Sequence, residues 1–141
     1  MPILLEIVTP EKLAYSDTVD AVVLPGSEGE MGVLPHHAPL LATLGLGELR
    51  IRKGGSEESF AIVGGFLQVL PTKVVVLAET ADMASEIDLE KAQEARREAE
   101  KALEASFHEG ADLAMARASL QQALLRIRVA ERRQHEGRRR V

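Results

Sequence analysis

Up to about residue 86, apolar and polar positions follow the period of strands; beyond it, apolar positions recur every three or four residues. Residues 3–8 (ILLEIV) end at the turn pair Thr9-Pro10, and residues 19–24 (VDAVVL) run into Pro25-Gly26. Residues 48–52 alternate polar and apolar, then meet Lys53-Gly54-Gly55-Ser56, a hairpin turn. Residues 59–63, 66–70 and 73–78 follow, separated by Gly64-Gly65 and by Pro71-Thr72. Short strands with turn signals at this spacing predict an antiparallel sandwich or barrel. The glycine pair fits a bulge or a close approach of two backbones.

At Ile87-Asp88 the period changes. Asp88 is a good helix N-cap, and residues 89–105 contain no Gly, no Pro and no β-branched side chain. Ala92, Ala95, Ala99 and Ala102 form one narrow face. Residues 106–111 break the pattern, with Gly110 suited to a turn, and Asp112 caps a second helix striped by Ala116, Leu120, Ala123, Leu124, Ile127 and Ala130. Two helices joined by so short a loop are antiparallel neighbours. Their alanine seam brings the backbones close but buries little area, at roughly 25 cal/mol per Å². The reading is therefore mainly β plus α: a β-sandwich over residues 1–86 and a helical hairpin over residues 87–141.

Composition narrows the chemistry. Apolar residues make up 45% of the 141 and aromatics only 3%, so the core must come from Val, Ile, Leu and Ala. With no cysteine, disulfides and thiolate chemistry are excluded. No apolar run approaches the roughly 20 residues of a membrane span, and residues 1–6 lack the features of a secretion signal, so a soluble chain is expected. The net charge of −5 hides a division: residues 1–86 carry −7, whereas from Leu113 onward eight arginines face two glutamates. An acidic front and a basic tail imply two surfaces with different partners.

No catalytic constellation emerges. Of His36, His37, His108 and His135 only the first two are adjacent, and adjacent residues do not converge on one ligand, so no metal site is expected. No nucleophile is paired with a base. The glycine loop of residues 26–32 lacks the GK[ST] ending of a phosphate cradle, and Glu28 and Glu30 would repel phosphate. The arginine-rich C-terminal helix leaves one alternative open, a nucleic-acid-binding adapter, although the tail has no aromatic residues for stacking.

Residues 25–40 pack three glycines and three prolines into sixteen positions, and Glu28 and Glu30 stand at the exposed turn. This constrained run resembles the corresponding segment of epsilon subunits of F-type ATP synthases. The resemblance continues through Gly47-Glu48-Leu49-Arg50-Ile51, Gly64-Gly65-Phe66-Leu67-Gln68-Val69, Val74-Val75-Val76-Leu77-Ala78-Glu79, the Ile87-Asp88 boundary and Arg126-Ile127-Arg128-Val129-Ala130-Glu131. It covers essentially the whole chain. It implies a sandwich of about ten strands followed by a two-helix domain, in a non-catalytic subunit of the central stalk.

By that resemblance, the sandwich binds the gamma subunit and the c-subunit ring and couples ion flow to ATP synthesis. Glu30, Met31 and His37 would face the polar loops of the ring, which carry basic residues in many members. The residues themselves, apart from the resemblance, place Val33, Leu34 and Leu40 in the core. The helices would extend beside gamma and meet an acidic segment of the beta subunit through Arg126, Arg128, Arg132 and Arg133, blocking ATP hydrolysis. The implied location is peripheral, at the cytoplasmic face of the bacterial inner membrane, with membrane contact only through the complex and no nucleic acid. Some members bind ATP between the helices through an I/L-D-x-x-R-A motif. Here Ile87-Asp88-Leu89-Glu90-Lys91-Ala92 has lysine for arginine, and Gln122 replaces an arginine four residues before Arg126. Lysine cannot reproduce a bidentate fork, so Asp88, Lys91 and Arg126 are weak ATP-site candidates and no cofactor is expected.

Overall fold

The computed structural model describes the backbone of residues 2–109 and 112–139 and the side chains of residues 2–107 and 112–133. The chain divides into two units, Met1–Met83 and Ala84–Val141. In the first, eight strands follow in order: β1 (Ile3–Val8), β2 (Leu13–Val19), β3 (Ala21–Gly26), β4 (Gly29–Val33), β5 (Leu40–Leu44), β6 (Gly47–Lys53), β7 (Ser56–Leu70) and β8 (Lys73–Met83). They are arranged as β2-β1-β8-β7-β5-β3-β4, with β6 bridging β3 and β7. All pairings are antiparallel except β1 with β8.

The two longest strands serve both layers of this sandwich. Residues 56–62 of β7 pair with β6, whereas residues 65–69 pair with β5. Eight strands stand where about ten are expected; residues 59–63 and 66–70, for instance, lie on one strand and do not form two. Gly64 and Gly65 have φ of +57° and +120°, and a β-carbon on Gly65 would fall 1.9 Å from the Leu77 carbonyl oxygen. The register with β8 runs from Phe60↔Met83 to Leu70↔Lys73 without a slip. Of the two readings the sequence allows, the close approach holds and the bulge does not.

The core is aliphatic, as a composition so poor in aromatic residues requires. Ile3, Leu5 and Ile7 of β1 meet Leu24, Leu49, Ile51, Leu67, Val69, Val74 and Val76, all fully buried. Each such side chain contributes about 1.5–3 kcal/mol. Phe60 takes an edge-on contact from Tyr15, ring centres 5.6 Å apart. Val33 is buried and Leu40 is packed against this core, but Leu34 is 64% exposed, contrary to expectation. It follows the last residue of β4, and no strand pairing turns it inward.

The second unit opens with a 3-10 turn, Ala84–Glu86, which the change of period alone assigns to the sandwich. Helices α1 (Leu89–Glu109) and α2 (Leu113–Arg139) follow. Both expected caps form: Asp88 Oδ1 accepts the Lys91 N–H at 3.2 Å, and Asp112 Oδ1 accepts the Met115 N–H at 3.1 Å. At 1.5 Å per residue the helices span about 32 and 40 Å. α1 passes the expected break at residue 106, because Ser106 turns its hydroxyl onto the Leu103 carbonyl at 2.7 Å and stays helical. The expected turn at Gly110 lies outside the described residues. Ala92 and Ala99 of α1 and Ala116, Ala123, Ile127 and Ala130 of α2 are buried, while Ala102 and Leu124 are exposed. Leu125 and Val129 are buried as well, on a side of α2 that the alanine stripe does not include.

A candidate docking groove and the basic helix

Residues 21–33 fold into a hairpin because Ala21-Val22-Val23-Leu24 is an apolar, β-branched-rich run that favours a strand and Ser27-Glu28 makes a two-residue turn. The register runs Gly26↔Gly29, Pro25↔Glu30, Leu24↔Met31 and Val22↔Val33. Glu30 and Met31 therefore belong to strand β4 and not to a turn, and they point to opposite faces. Ser27 ties the hairpin tip to β5: its N–H donates to the Thr43 carbonyl at 3.1 Å, and the two side-chain hydroxyl oxygens lie 2.7 Å apart.

Between the hairpin and β5 lies an open groove of about 600 Å³. One wall is the stretch from Gly26 to Met31; the other side is formed by Leu41, Ala42, Thr43 and Phe66. Its charged lining residues are Glu28 and Glu30, both acidic. Leu41 is 74% exposed and Phe66 56%. Phe66 also lines a second, smaller hollow of about 370 Å³ with Val8, Pro10, Leu77 and Glu79. An acidic rim over an apolar floor suits a segment that presents both basic and apolar side chains.

The three residues read as ring contacts end in different settings. Glu30 is exposed, and its Oε2 accepts from Arg50 Nη2 at 2.8 Å. Met31 lines the groove but also packs on the core, half-buried. His37 lies beyond β4 and does not line the groove; its Nδ1 is 2.8 Å from the Ala38 carbonyl oxygen and its N–H reaches Leu34. The preceding residue, His36, has φ of 66° and donates its N–H to the Pro71 carbonyl at 2.9 Å, which fixes the segment on the β7–β8 turn. The sequence reading missed Arg50, Leu41 and Leu77 as surface features. Alternation identifies one face of a strand as core, yet it cannot foresee apolar residues on the other face as well.

On the helices, Asp88 and Lys91 stand at the first turn of α1. Arg126 lines a cleft of about 570 Å³ between α1 and α2, together with Glu98, Asp112, Ser119, Gln122 and several alanines. Asp88 and Lys91 do not line that cleft, so the three ATP-site candidates are not brought together there. Among the described residues that line it, Arg126 is accompanied by two carboxylates, Glu98 and Asp112. Arg128 and Arg133 are exposed, and Arg126 and Arg132 are half-buried on α2. The side chains of Arg138, Arg139 and Arg140 lie outside the described residues. Among the described residues no group of three His, Asp or Glu could hold a metal ion, and no helix is long and apolar enough to cross a membrane.

Two family models match successive parts of the chain. Residues 3–84 match the "ATP synthase, Delta/Epsilon chain, beta-sandwich domain", and residues 85–131 match the "long alpha-helix domain" of the same chain. A relative from Dehalococcoides mccartyi named "ATP synthase epsilon chain" is 48% identical over 129 residues, covering 92% of each chain. One of the same name from Syntrophobacter fumaroxidans is 50% identical over 128 residues, 91% of this chain and 95% of its own. Among solved structures, a chain in the Euglena gracilis mitochondrial ATP synthase (OSCP/F1/c-ring, rotational state 1) is similar with a TM-score of 0.64 and 27% identity. That match covers 92% of this chain and 78% of the other. Two domain matches in order, and relatives near half identity over nearly the full length, show that the chain belongs to the ATP synthase epsilon chain family.

Proposed function

We propose that this chain is a non-catalytic coupling and regulatory subunit of a rotary ATP synthase. The sandwich links the gamma subunit to the c ring, and the α1–α2 arm restrains ATP hydrolysis by offering Arg126, Arg128, Arg132 and Arg133 to an acidic segment of a beta subunit. The chain lies peripherally at the cytoplasmic face of the bacterial inner membrane. The observation that carries the ring assignment is the groove beside β4, whose charged lining residues are Glu28 and Glu30 and whose floor exposes Leu41 and Phe66. Basic ring loops fit that rim. The arm is assigned to protein and not to nucleic acid because its relatives are ATP synthase subunits.

The test is Glu30→Lys in the assembled complex. Glu30 is exposed and on a strand edge, so folding should change by less than about 1 kcal/mol. ATP-driven proton pumping should fall at least about fivefold, since a cation now opposes a basic loop. Undiminished pumping would remove Glu30 from the ring contact.

ATP is not a ligand of the arm in this reading. Calorimetry on the whole chain is expected to give no binding at micromolar ATP, because among the described residues the α1–α2 cleft sets one arginine against two carboxylates, which repel a triphosphate. A micromolar dissociation constant would overturn that assignment while leaving the docking role untouched.

A further inference from the structure

Arg50 reaches from β6 to a carboxylate two strands away. Val23 of β3 is paired with Gly32 of β4 on one side and with Arg50 on the other, so the Arg50–Glu30 ion pair spans β3. The guanidinium donates from Nη2 to Glu30 Oε2 at 2.8 Å, whereas its Nε lies 4.0 Å from Glu48 Oε1, near enough for charge attraction but beyond hydrogen-bond reach. The three side chains form a gradient of exposure, 12% for Glu48, 32% for Arg50 and 68% for Glu30. The arginine thus stands between a shielded carboxylate and an exposed one, and it hydrogen-bonds the exposed one. Only Oε2 of Glu30 is engaged with it; Oε1 has no partner among the described residues.

We propose that Arg50 is the positioning residue of the docking site: it fixes the rotamer of Glu30 and presents the second carboxylate oxygen to a cationic side chain of the partner. This rests on the reading that Glu30 faces the basic loops of the c ring. An unrestrained surface glutamate loses rotamer freedom on docking, and a glutamate already held does not. The Glu30–Arg50–Glu48 trio has a formal charge of −1, so it still attracts a cation despite the arginine within it. Lysine cannot replace Arg50 fully, because a flexible point charge does not orient the Glu30 carboxylate as a planar guanidinium does.

The experiment compares the full chain with Arg50→Gln, Arg50→Lys, Glu30→Gln and the Glu30→Gln/Arg50→Gln double variant. Each is titrated onto purified c rings carrying the gamma subunit, at low and high salt, and each is unfolded in urea. An exposed ion pair contributes little to folding, so the urea midpoints should stay together. Arg50→Gln should weaken binding about fivefold, Arg50→Lys should recover part of that, and the double variant should bind no more weakly than Glu30→Gln alone. Such coupling in binding, without coupling in unfolding, is what a merely structural arginine would not produce. If Glu30→Gln weakens binding and flattens its salt dependence while Arg50→Gln binds as well as or better than the parent, the positioning role is wrong and the docking reading stands. If Glu30→Gln binds like the parent at both salt concentrations, the docking reading fails, and the role of Arg50 with it.

Discussion

Replacing Gly65 by alanine should leave the first unit without a stable fold. Gly65 pairs with Ala78, has φ of +120°, and would place its new β-carbon 1.9 Å from the Leu77 oxygen and 2.9 Å from the Ala78 α-carbon. Both obstacles are backbone atoms of the adjacent strand, which cannot move without opening the β7–β8 pairing. The loss should exceed about 4 kcal/mol, a large share of the 5–15 kcal/mol that holds a typical domain. Gly64 provides the control. Its β-carbon would meet only the end of the Glu79 side chain at 3.4 Å, so Gly64→Ala should cost just the left-handed backbone term of about 1–2 kcal/mol. Urea unfolding followed by circular dichroism measures both. Equal midpoints for the two variants would mean that β7 and β8 do not approach as closely at Gly65 as described.

Removing residues 87–141 should raise ATP hydrolysis by the assembled complex about tenfold for each 1.4 kcal/mol by which the arm favours the blocked state. The truncated chain should still fold and assemble, because every member of the hydrophobic core cluster lies between Ile3 and Ala78. A second variant separates the charge from the helix: Arg126, Arg128, Arg132 and Arg133 all changed to Gln, leaving α2 in place. Glutamine keeps most of the helix propensity of arginine, so any rise in hydrolysis then reports the lost charges. Unchanged hydrolysis after truncation would remove the inhibitory role for this chain. A rise on truncation but none with the glutamine variant would assign the restraint to the bulk of the helices and not to their charge.

The fold was legible where local chemistry determines it. Asp88 and Asp112 stand ahead of long runs free of Gly and Pro, and both cap helices through the backbone N–H three residues on. Lys53-Gly54-Gly55-Ser56 turns the β6–β7 hairpin, with Lys53 paired to Ser56. What the sequence could not show is continuity: two apolar runs interrupted by Gly64-Gly65 look the same whether the glycines end a strand or bend one. Only the pairing of β7 with β6, β5 and β8 decides it.

The site was half legible for a similar reason. The family resemblance of residues 25–40 singles out Glu30 and Met31, and both line one groove although they alternate along β4. Arg50, the partner of Glu30, is twenty positions away and meets it across an intervening strand, a relation that no local spacing encodes. The exposed Leu41 and Phe66 lie on strands whose other faces are core, so hydrophobicity alone assigns them inward. Leu34 and Leu124 are exposed for the same lack of local information.

The parallel pairing of β1 with β8 has a consequence for the order in which the protein is made. Leu4 lies opposite Lys73 and Val8 opposite Leu77, so β1, made before the other seven strands, lacks its inner neighbour until β8 has been synthesised. Contacts between such distant positions form slowly, because a long loop must close before they are rewarded. Until then the β1–β2 hairpin has one edge open to other nascent chains. Closure of this sheet is therefore a late event of translation, and the helices emerge behind a body that has only just become complete.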